Sequence, residues 1–267
     1  MEEKSNISKN NTDDINDNQI SFLKIDQLKR NSHALSILLR SEDIIVGFNS
    51  KVFRGSQKVL NQNLKIENDK IITIFRKETF FNVKASGPLG IKLIEVGSDE
   101  ANELLIKTEN YFKSIKDLND YKEFEVYKGK NNFYDVIEVL DTSLLASLLP
   151  FIWFYHHRLY SPLLLLIATF LLLGSIAWWL VLSAWVILTI YMSKGSMSFL
   201  RGYCLFQELR PYMKIYAPSN KSVQETIRSI DRKSNYRFPF IEPPVEIQEA
   251  KDNKTLEDKE LKVTQAS

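Results

Sequence analysis

The group of residues in this sequence that most resembles a reactive cluster is a pair of histidines followed by an arginine: His156, His157 and Arg158. Imidazole nitrogens bind zinc and related metals, so the pair raises the question of a metal site. Neighbouring residues on a helix point about 100° apart, and neither histidine has an aspartate, glutamate or cysteine near it in sequence. The pair therefore predicts polar contacts at a lipid interface, and no metal ligand is assigned.

The motifs of the large hydrolase and nucleotide-binding classes do not occur in the sequence. The chain has 3 histidines, and none belongs to the His-Glu-x-x-His motif that holds zinc and a general base. A Gly-x-Ser-x-Gly elbow, a Walker loop and a dinucleotide fingerprint are also missing from the sequence. We expect no enzyme activity, no catalytic residue, no cofactor and no small-molecule substrate. A degenerate membrane protease is the weaker alternative.

Composition narrows the class of protein further. The formal net charge is +2, which gives no signal for nucleic-acid binding. The chain has 1 cysteine, Cys204, so an internal disulfide framework is excluded. Residues 1–18 are polar without an apolar export signal, and they predict a disordered head. Residues 236–267 are Pro-rich and then charged, and they predict a disordered tail.

The element that must position the histidines is an uncharged apolar run over residues 159–193. A continuous helix of that length would be about 50 Å long, whereas the hydrocarbon core of a bilayer is about 30 Å thick. We therefore predict a transmembrane hairpin over residues 161–193 that turns near Gly174 and Ser175. One long tilted helix and a buried soluble hairpin are the alternatives.

The flanks of the hairpin predict how it is placed in a membrane. Residues 143–160 are expected to form an interfacial segment, with Pro150 limiting its helix. Basic residues lie on both flanks and none lies in the turn, so the positive-inside rule places both termini in the cytoplasm. The residues expected at the membrane interface are Trp153, Tyr155, His156, His157, Arg158, Tyr160, Trp178 and Trp179.

Residues 19–86 predict a small unit of short strands and helices. The pattern gives a strand ending at Ile25 and a short helix capped by Ser32. The later elements are a strand at 43–48, a helix containing Val59 and Leu64, and strands at 70–76 and 79–85. This order resembles a bacterial-type PDZ domain. The resemblance is carried by residues 42–50 (EDIIVGFNS) in place of its GDxIxxxNG strand, by His33-Ala34, and by the terminal Arg76.

The PDZ resemblance implies a partner-binding groove between the first strand and the helix that bears Val59. A peptide would add there as an extra strand; alternatively, the unit is a structural or docking module that captures no peptide end. The residues implied at the groove are Ile20, Ser21, Phe22, Leu23, Ile25, Val59 and Asn63.

The remaining segments complete the predicted domain organisation. Residues 87–142 predict an α+β extension, with a helix that begins near Ser98 and a hairpin around Gly129. Residues 194–235 are expected to be a helical cytoplasmic segment. From Pro150 to about residue 230 the chain resembles a family of small bacterial inner-membrane domains, through Trp153, residues 157–160 and residues 201–203. That resemblance implies the bacterial inner membrane and no chemistry.

The sequence therefore predicts an α+β fold with a PDZ-like domain, a transmembrane hairpin and a helical or disordered tail. The expected function is that of a membrane-anchored adaptor or scaffold whose partners are lipids and another protein. The alternative is an accessory subunit of an inner-membrane transporter or assembly complex that binds through its hairpin, since small residues there allow close helix packing.

Overall fold

The computed structural model describes residues 22–53, 55–65, 70–115, 118–140 and 144–244. Within these ranges the protein is a mixed α/β structure with one large sheet. The strands are β1 (Leu23–Leu28), β2 (Ile44–Phe48), β3 (Lys51–Val52), β4 (Lys70–Arg76), β5 (Thr79–Ala85), β6 (Ile91–Glu95), β7 (Lys122–Lys128), β8 (Phe133–Glu138), β9 (Arg210–Ala217) and β10 (Asn235–Tyr236). The helices are α1 (His33–Ser36), α2 (Gln57–Lys65), α3 (Ser98–Ser114), α4 (Leu144–Leu148), α5 (Pro150–His156), α6 (Tyr160–Ile176), α7 (Trp178–Phe206) and α8 (Asn220–Ile230).

The sheet joins parts of the chain that lie on both sides of the apolar helices. Its strand order is β10-β8-β7-β9-β5-β4-β2-β1-β6, with β3 added beside β2. Strand β9 follows the apolar helices in sequence, yet it lies between β5 and β7. The boundaries predicted at residues 86 and 142 therefore do not separate independent sheets.

Local signals in the first third of the chain led to correct elements. The Ser32 hydroxyl caps α1 by accepting a hydrogen bond from the Leu35 amide at 3.3 Å. Lys77 and Glu78 form the turn between β4 and β5 with φ values of 47° and 61°, and these two strands pair in register along their length. The helix at Ser98 and the hairpin around Gly129 are also present.

Alternating side chains place helices on both faces of the sheet. On β2, Ile45 packs in a core with α1, α2 and α8, whereas Ile44 and Val46 pack against α3 on the other face. Asp43 and Arg76 form a buried ion pair between β2 and β4, with two nitrogen–oxygen distances of 2.6 Å. Two of the residues on which the sequence resemblance rested are thus direct partners.

Two predicted segments need correction. Residues 194–235 are not wholly helical, because residues 210–217 form β9, whose inward side chains Met213, Ile215 and Ala217 follow the period of a strand. The part of the predicted disordered tail at residues 236–244 has a defined position. The buried Gln224 amide donates to the Phe238 carbonyl at 2.7 Å and accepts from the Phe240 amide at 2.8 Å. Residues 1–18 and 245–267 lie outside the described ranges.

Helices α6 and α7 form an antiparallel pair. Helix α6 ends at Ile176, and the extended residue Ala177 reverses the chain just after the predicted turn at Gly174 and Ser175. Helix α7 continues to Phe206, well beyond the predicted end of the hairpin at residue 193. Pro150 is the first residue of α5 and separates it from α4, as its missing amide predicts.

Candidate functional site

The predicted peptide groove beside β1 is already occupied by the chain itself. Strand β6 pairs antiparallel with β1 from Leu23↔Glu95 to Leu28↔Ile91, and the Gln57 side chain of α2 donates to the Ile91 carbonyl at 3.1 Å. Phe22, Leu23 and Ile25 are buried. The groove between β1 and α2 is therefore not open, because an internal strand takes the place that a partner strand would take. Ile20 and Ser21 lie outside the described residues.

Strand β6 is the edge of the described sheet. The Val96 amide donates to Phe22 on β1 at 3.0 Å, whereas the Ile91 carbonyl points to α2. Because amide directions alternate along a strand, the amides of Leu93 and Glu95 point away from β1. Val59 is exposed and Asn63 is partly exposed on α2. Among the described residues, the outer edge of β6 therefore has no neighbouring strand, and it lies one strand further out than the predicted groove.

The helix pair α6–α7 exposes apolar side chains over much of its surface, apart from the side of α6 on which Leu163, Leu166 and Phe170 pack against neighbouring residues. None of the α6 residues is buried, and the buried residues of α7 all belong to its second half, beginning at Met192. Helix α7 is long and apolar enough to cross a membrane by length and composition, whereas α6 is apolar but shorter. The exposed large side chains include Leu164, Leu165, Leu171, Leu172, Ile176, Trp178, Trp179, Val186, Ile187 and Ile190.

The aromatic and basic residues expected at a membrane interface fall into two groups. Tyr155, His156, Arg158, Tyr160, Trp178 and Trp179 are exposed. Trp153 is only 1% exposed, because its ring packs on His157 and Phe199. This indole therefore belongs to the small core between α5 and α7 and does not present its ring at the surface.

A buried charge network ties α7 to the sheet. The Arg201 guanidinium donates to both carboxylate oxygens of Glu125 on β7, at 2.9 and 2.7 Å, and Lys214 of β9 lies 3.2 Å from the same carboxylate. Burial acts to raise the pKa of Glu125, but these two cations together lower it below its ordinary value. A bidentate arginine pair fixes orientation as well as distance, so α7 and the sheet are joined at a set angle.

A cavity of about 300 Å³ opens where α5 meets α6. Its walls come from the α5–α6 turn, the last turns of α7, β8 and the segment after β10. Arg158 lies on one wall with its guanidinium carbon 4.5 Å above the Phe238 ring. Arg237 lies on another wall and pairs with Asp135 at 3.2 Å. The charged turn identified from the sequence thus borders a cavity whose opposite wall was predicted to be disordered.

His157 is expected to make the stability of the protein depend on pH. Burial and the charge of His156 lower the pKa of His157 to about 4. Below pH 6.5 the imidazole of His157 binds a proton in the unfolded chain but stays neutral in the folded chain. The free energy of unfolding therefore falls as the pH falls from about 6.5 towards 4. Because the ring is only partly buried, we expect a loss of about 1–2 kcal/mol over this range.

The variant His157→Phe keeps a ring against Trp153 and should remove most of that pH dependence. Urea unfolding of the detergent-solubilised protein at pH 7 and pH 5, followed by tryptophan fluorescence, measures it. His156→Gln is the control and should retain most of the dependence, since burial is the larger cause. An equal slope in wild type and His157→Phe would contradict this assignment.

Several residues of the site could not be recognised from the sequence. Arg237 and Phe238 stand in a stretch with the composition of a linker, and Glu125 and Asp135 have the spacing of ordinary exposed strand positions. Asp135 is buried, and burial raises its pKa. The described part of the chain contains no group of three or more His, Cys, Asp or Glu side chains that could hold a metal.

Comparison with known proteins gave no assignment. No model of a protein family matches the chain, and no curated protein matches it. Fold and site together define a mixed α/β protein with a large sheet that carries an exposed apolar helix pair.

Proposed function

We propose that the protein is a membrane-anchored adaptor. The helices α6 and α7 lie in a bilayer as a hairpin, and the sheet lies at the membrane surface and binds a partner protein. The observation that carries this proposal is the outward exposure of the apolar side chains of α6 and of the first half of α7. An apolar surface of this extent is not stable in water and requires a cover, and lipid covers every direction at once.

The geometry of the anchor fits a cytoplasmic sheet at a bacterial inner membrane. Helix α6 is about 25 Å long, close to the thickness of a hydrocarbon core. Arg158 lies two residues before α6 begins, and Lys194, near the middle of α7, is the first charged residue of that helix. Both basic residues lie away from the turn between the helices, whereas Trp178 and Trp179 are at that turn, where indoles favour the opposite interface.

The partner is expected to bind at the outer edge of β6. The PDZ resemblance supports binding by strand addition, but the position beside β1 is filled by β6. The adaptor therefore offers the next edge, the outward amides of Leu93 and Glu95, on the same strand whose Ile91 carbonyl accepts from Gln57 of α2. Free strand edges bind added strands through main-chain hydrogen bonds.

The test uses the full chain, because a fragment that ends before β9 would lack a central strand. Glu95→Pro removes one outward amide, and proline is tolerated at strand edges. We expect complexes captured from native membranes by crosslinking to be lost in Glu95→Pro and kept in Glu95→Ala. Loss in both variants, or in neither, would argue against docking at this edge.

A second candidate function is that of an accessory subunit that binds through the hairpin. Ala168, Gly174 and Ser175 are all exposed on α6, and small outward residues let another membrane helix approach closely. Replacing residues 160–193 by an unrelated hairpin separates the candidates. Loss of the crosslinked complex supports the subunit, and retention together with loss in Glu95→Pro supports the adaptor.

A further inference from the structure

The cavity at the α5–α6 turn has one cation without an acidic partner. Among the described residues, Glu138 on its wall pairs with Lys122 at 2.7 Å, and Asp135 pairs with Arg237. Arg158 forms no ion pair in these ranges, and its only side-chain partner is the face of Phe238. The lining histidine His157 is neutral near pH 7. One positive charge of the cavity is therefore left uncompensated.

The arginine is held with its hydrogen-bond donors free. The contact with Phe238 is made through the π-face of the ring and needs no hydrogen bond, so it leaves the planar set of guanidinium N–H donors for a phosphate. The Phe238 platform is fixed in turn, because the Gln224 side chain binds the backbone on both sides of residue 239. Arg158 thus lines the cavity and forms no ion pair among the described residues.

Arg158 has a left-handed backbone conformation, which glycine adopts more often than other residues. Arg158 has a φ of 53°. Its amide donates to the Tyr155 carbonyl and the Leu159 amide donates to the Phe154 carbonyl, both at 2.9 Å. These two bonds are the Schellman pattern that ends many helices, and its left-handed residue is most often glycine. An arginine there is less favourable for folding than glycine. Leu38 and Glu208 hold the same position after α1 and α7, so the turn itself does not require arginine and can accept glycine.

We infer that this cavity binds the phosphodiester headgroup of an anionic phospholipid, with Arg158 as its principal ligand. The site rests on the proposed function, since it places Arg158 beside the first residue of α6, at the depth of the headgroups. A headgroup with a net charge of −1 compensates the free arginine, whereas the ammonium of a zwitterionic lipid would bring a second cation towards it. The volume is at the lower end of the range for small-molecule sites.

The test is native mass spectrometry of the full chain in a neutral detergent with added phosphatidylglycerol or phosphatidylcholine. Both lipids present a phosphodiester to Arg158, but only phosphatidylcholine brings an ammonium towards it, so we expect phosphatidylglycerol to bind about tenfold more tightly. Arg158→Gln is expected to abolish that preference. Lys194→Gln is the matched control, because it removes one exposed charge at the same membrane boundary outside the cavity, and it should change the affinity less than twofold. An equal effect of both variants would mean diffuse surface attraction and would overturn the site.

Two further measurements separate lipid binding from effects on folding and from binding of free phosphate. Arg158→Gly should lose the lipid preference while its melting temperature is equal to or higher than that of the wild type, which separates binding from folding. Inorganic phosphate should compete poorly; full competition at millimolar concentration, with equal binding of both lipids, would assign the cavity to a soluble phosphate and overturn the lipid site. If wild-type protein inserts into phosphatidylcholine vesicles but shows no lipid preference, the lipid site is refuted and the anchor is not. If it inserts into no vesicle, the anchor proposal is refuted.

Discussion

Replacing Arg76 by methionine is expected to cost about 3–5 kcal/mol of folding free energy. Arg76 is 7% exposed and its partner Asp43 is 1% exposed, so the substitution leaves a buried carboxylate without its cation. Asp43 would keep only the Arg40 amide, which donates to it at 2.7 Å. Urea unfolding of the detergent-solubilised protein, followed by circular dichroism, measures the loss.

Two comparisons identify the cause of that loss. Lys107→Met breaks the exposed pair of Lys107 with Glu78, which lies at the turn just after Arg76, and should leave the stability unchanged within error. The double variant Asp43→Asn with Arg76→Met removes the stranded charge and should recover part of the loss. If Arg76→Met costs less than about 1 kcal/mol, the pair does not hold β2 and β4 together in the manner inferred here.

Replacing Ile187 by arginine is expected to prevent stable insertion of the hairpin. Ile187 is 67% exposed and lies about 14 Å along α7 from its first residue, near the centre of a 30 Å hydrocarbon layer. An arginine at that depth costs about 2.5–3.5 kcal/mol of insertion free energy, which is on the order of a hundredfold in the insertion equilibrium. The fraction of the protein that resists alkaline extraction from membranes measures it.

The same substitution further along α7 provides the control. Leu205 is 56% exposed and lies about 27 Å beyond Ile187, outside the hydrocarbon layer, so Leu205→Arg should leave extraction unchanged. Ile187→Ala should also stay in the membrane fraction. If Ile187→Arg remains bound as well as Leu205→Arg, α7 is covered by protein or water and not by lipid, and the anchor proposal fails.

The sequence predicted those elements whose information is local. Ser32 as a helix cap, the turn at Lys77 and Glu78, and the break at Pro150 follow from the conformations of one or two residues. The apolar run predicted the helix pair, although its turn at Ala177 is slightly later than expected. Asp43 and Arg76 were both noted as motif positions, but nothing in their spacing said that they touch.

Contacts between distant residues could not be predicted in this way. The residue pattern of β6 would be the same whether the strand paired with β1 or with another strand. Its position beside β1 therefore could not be predicted from the sequence. Gly47 is similar: a Cβ there would be 2.3 Å from the Phe112 ring of α3, so the glycine admits a helix that lies about 65 residues away. The segment after β10 is held by side chains far from it in sequence, among them Asp135 and Arg158, and by the amide of Gln224, and none of these contacts has a compositional signal.

The central position of β9 has a consequence for biosynthesis. This strand leaves the ribosome only after the hydrophobic helices have been made, yet it bridges the two halves of the sheet. Until then β5 and β7 each present a bare strand edge that invites wrong pairing. A chain anchored as proposed therefore inserts its helices before the sheet is complete, and a nascent chain stalled before residue 210 is the form most in need of a chaperone.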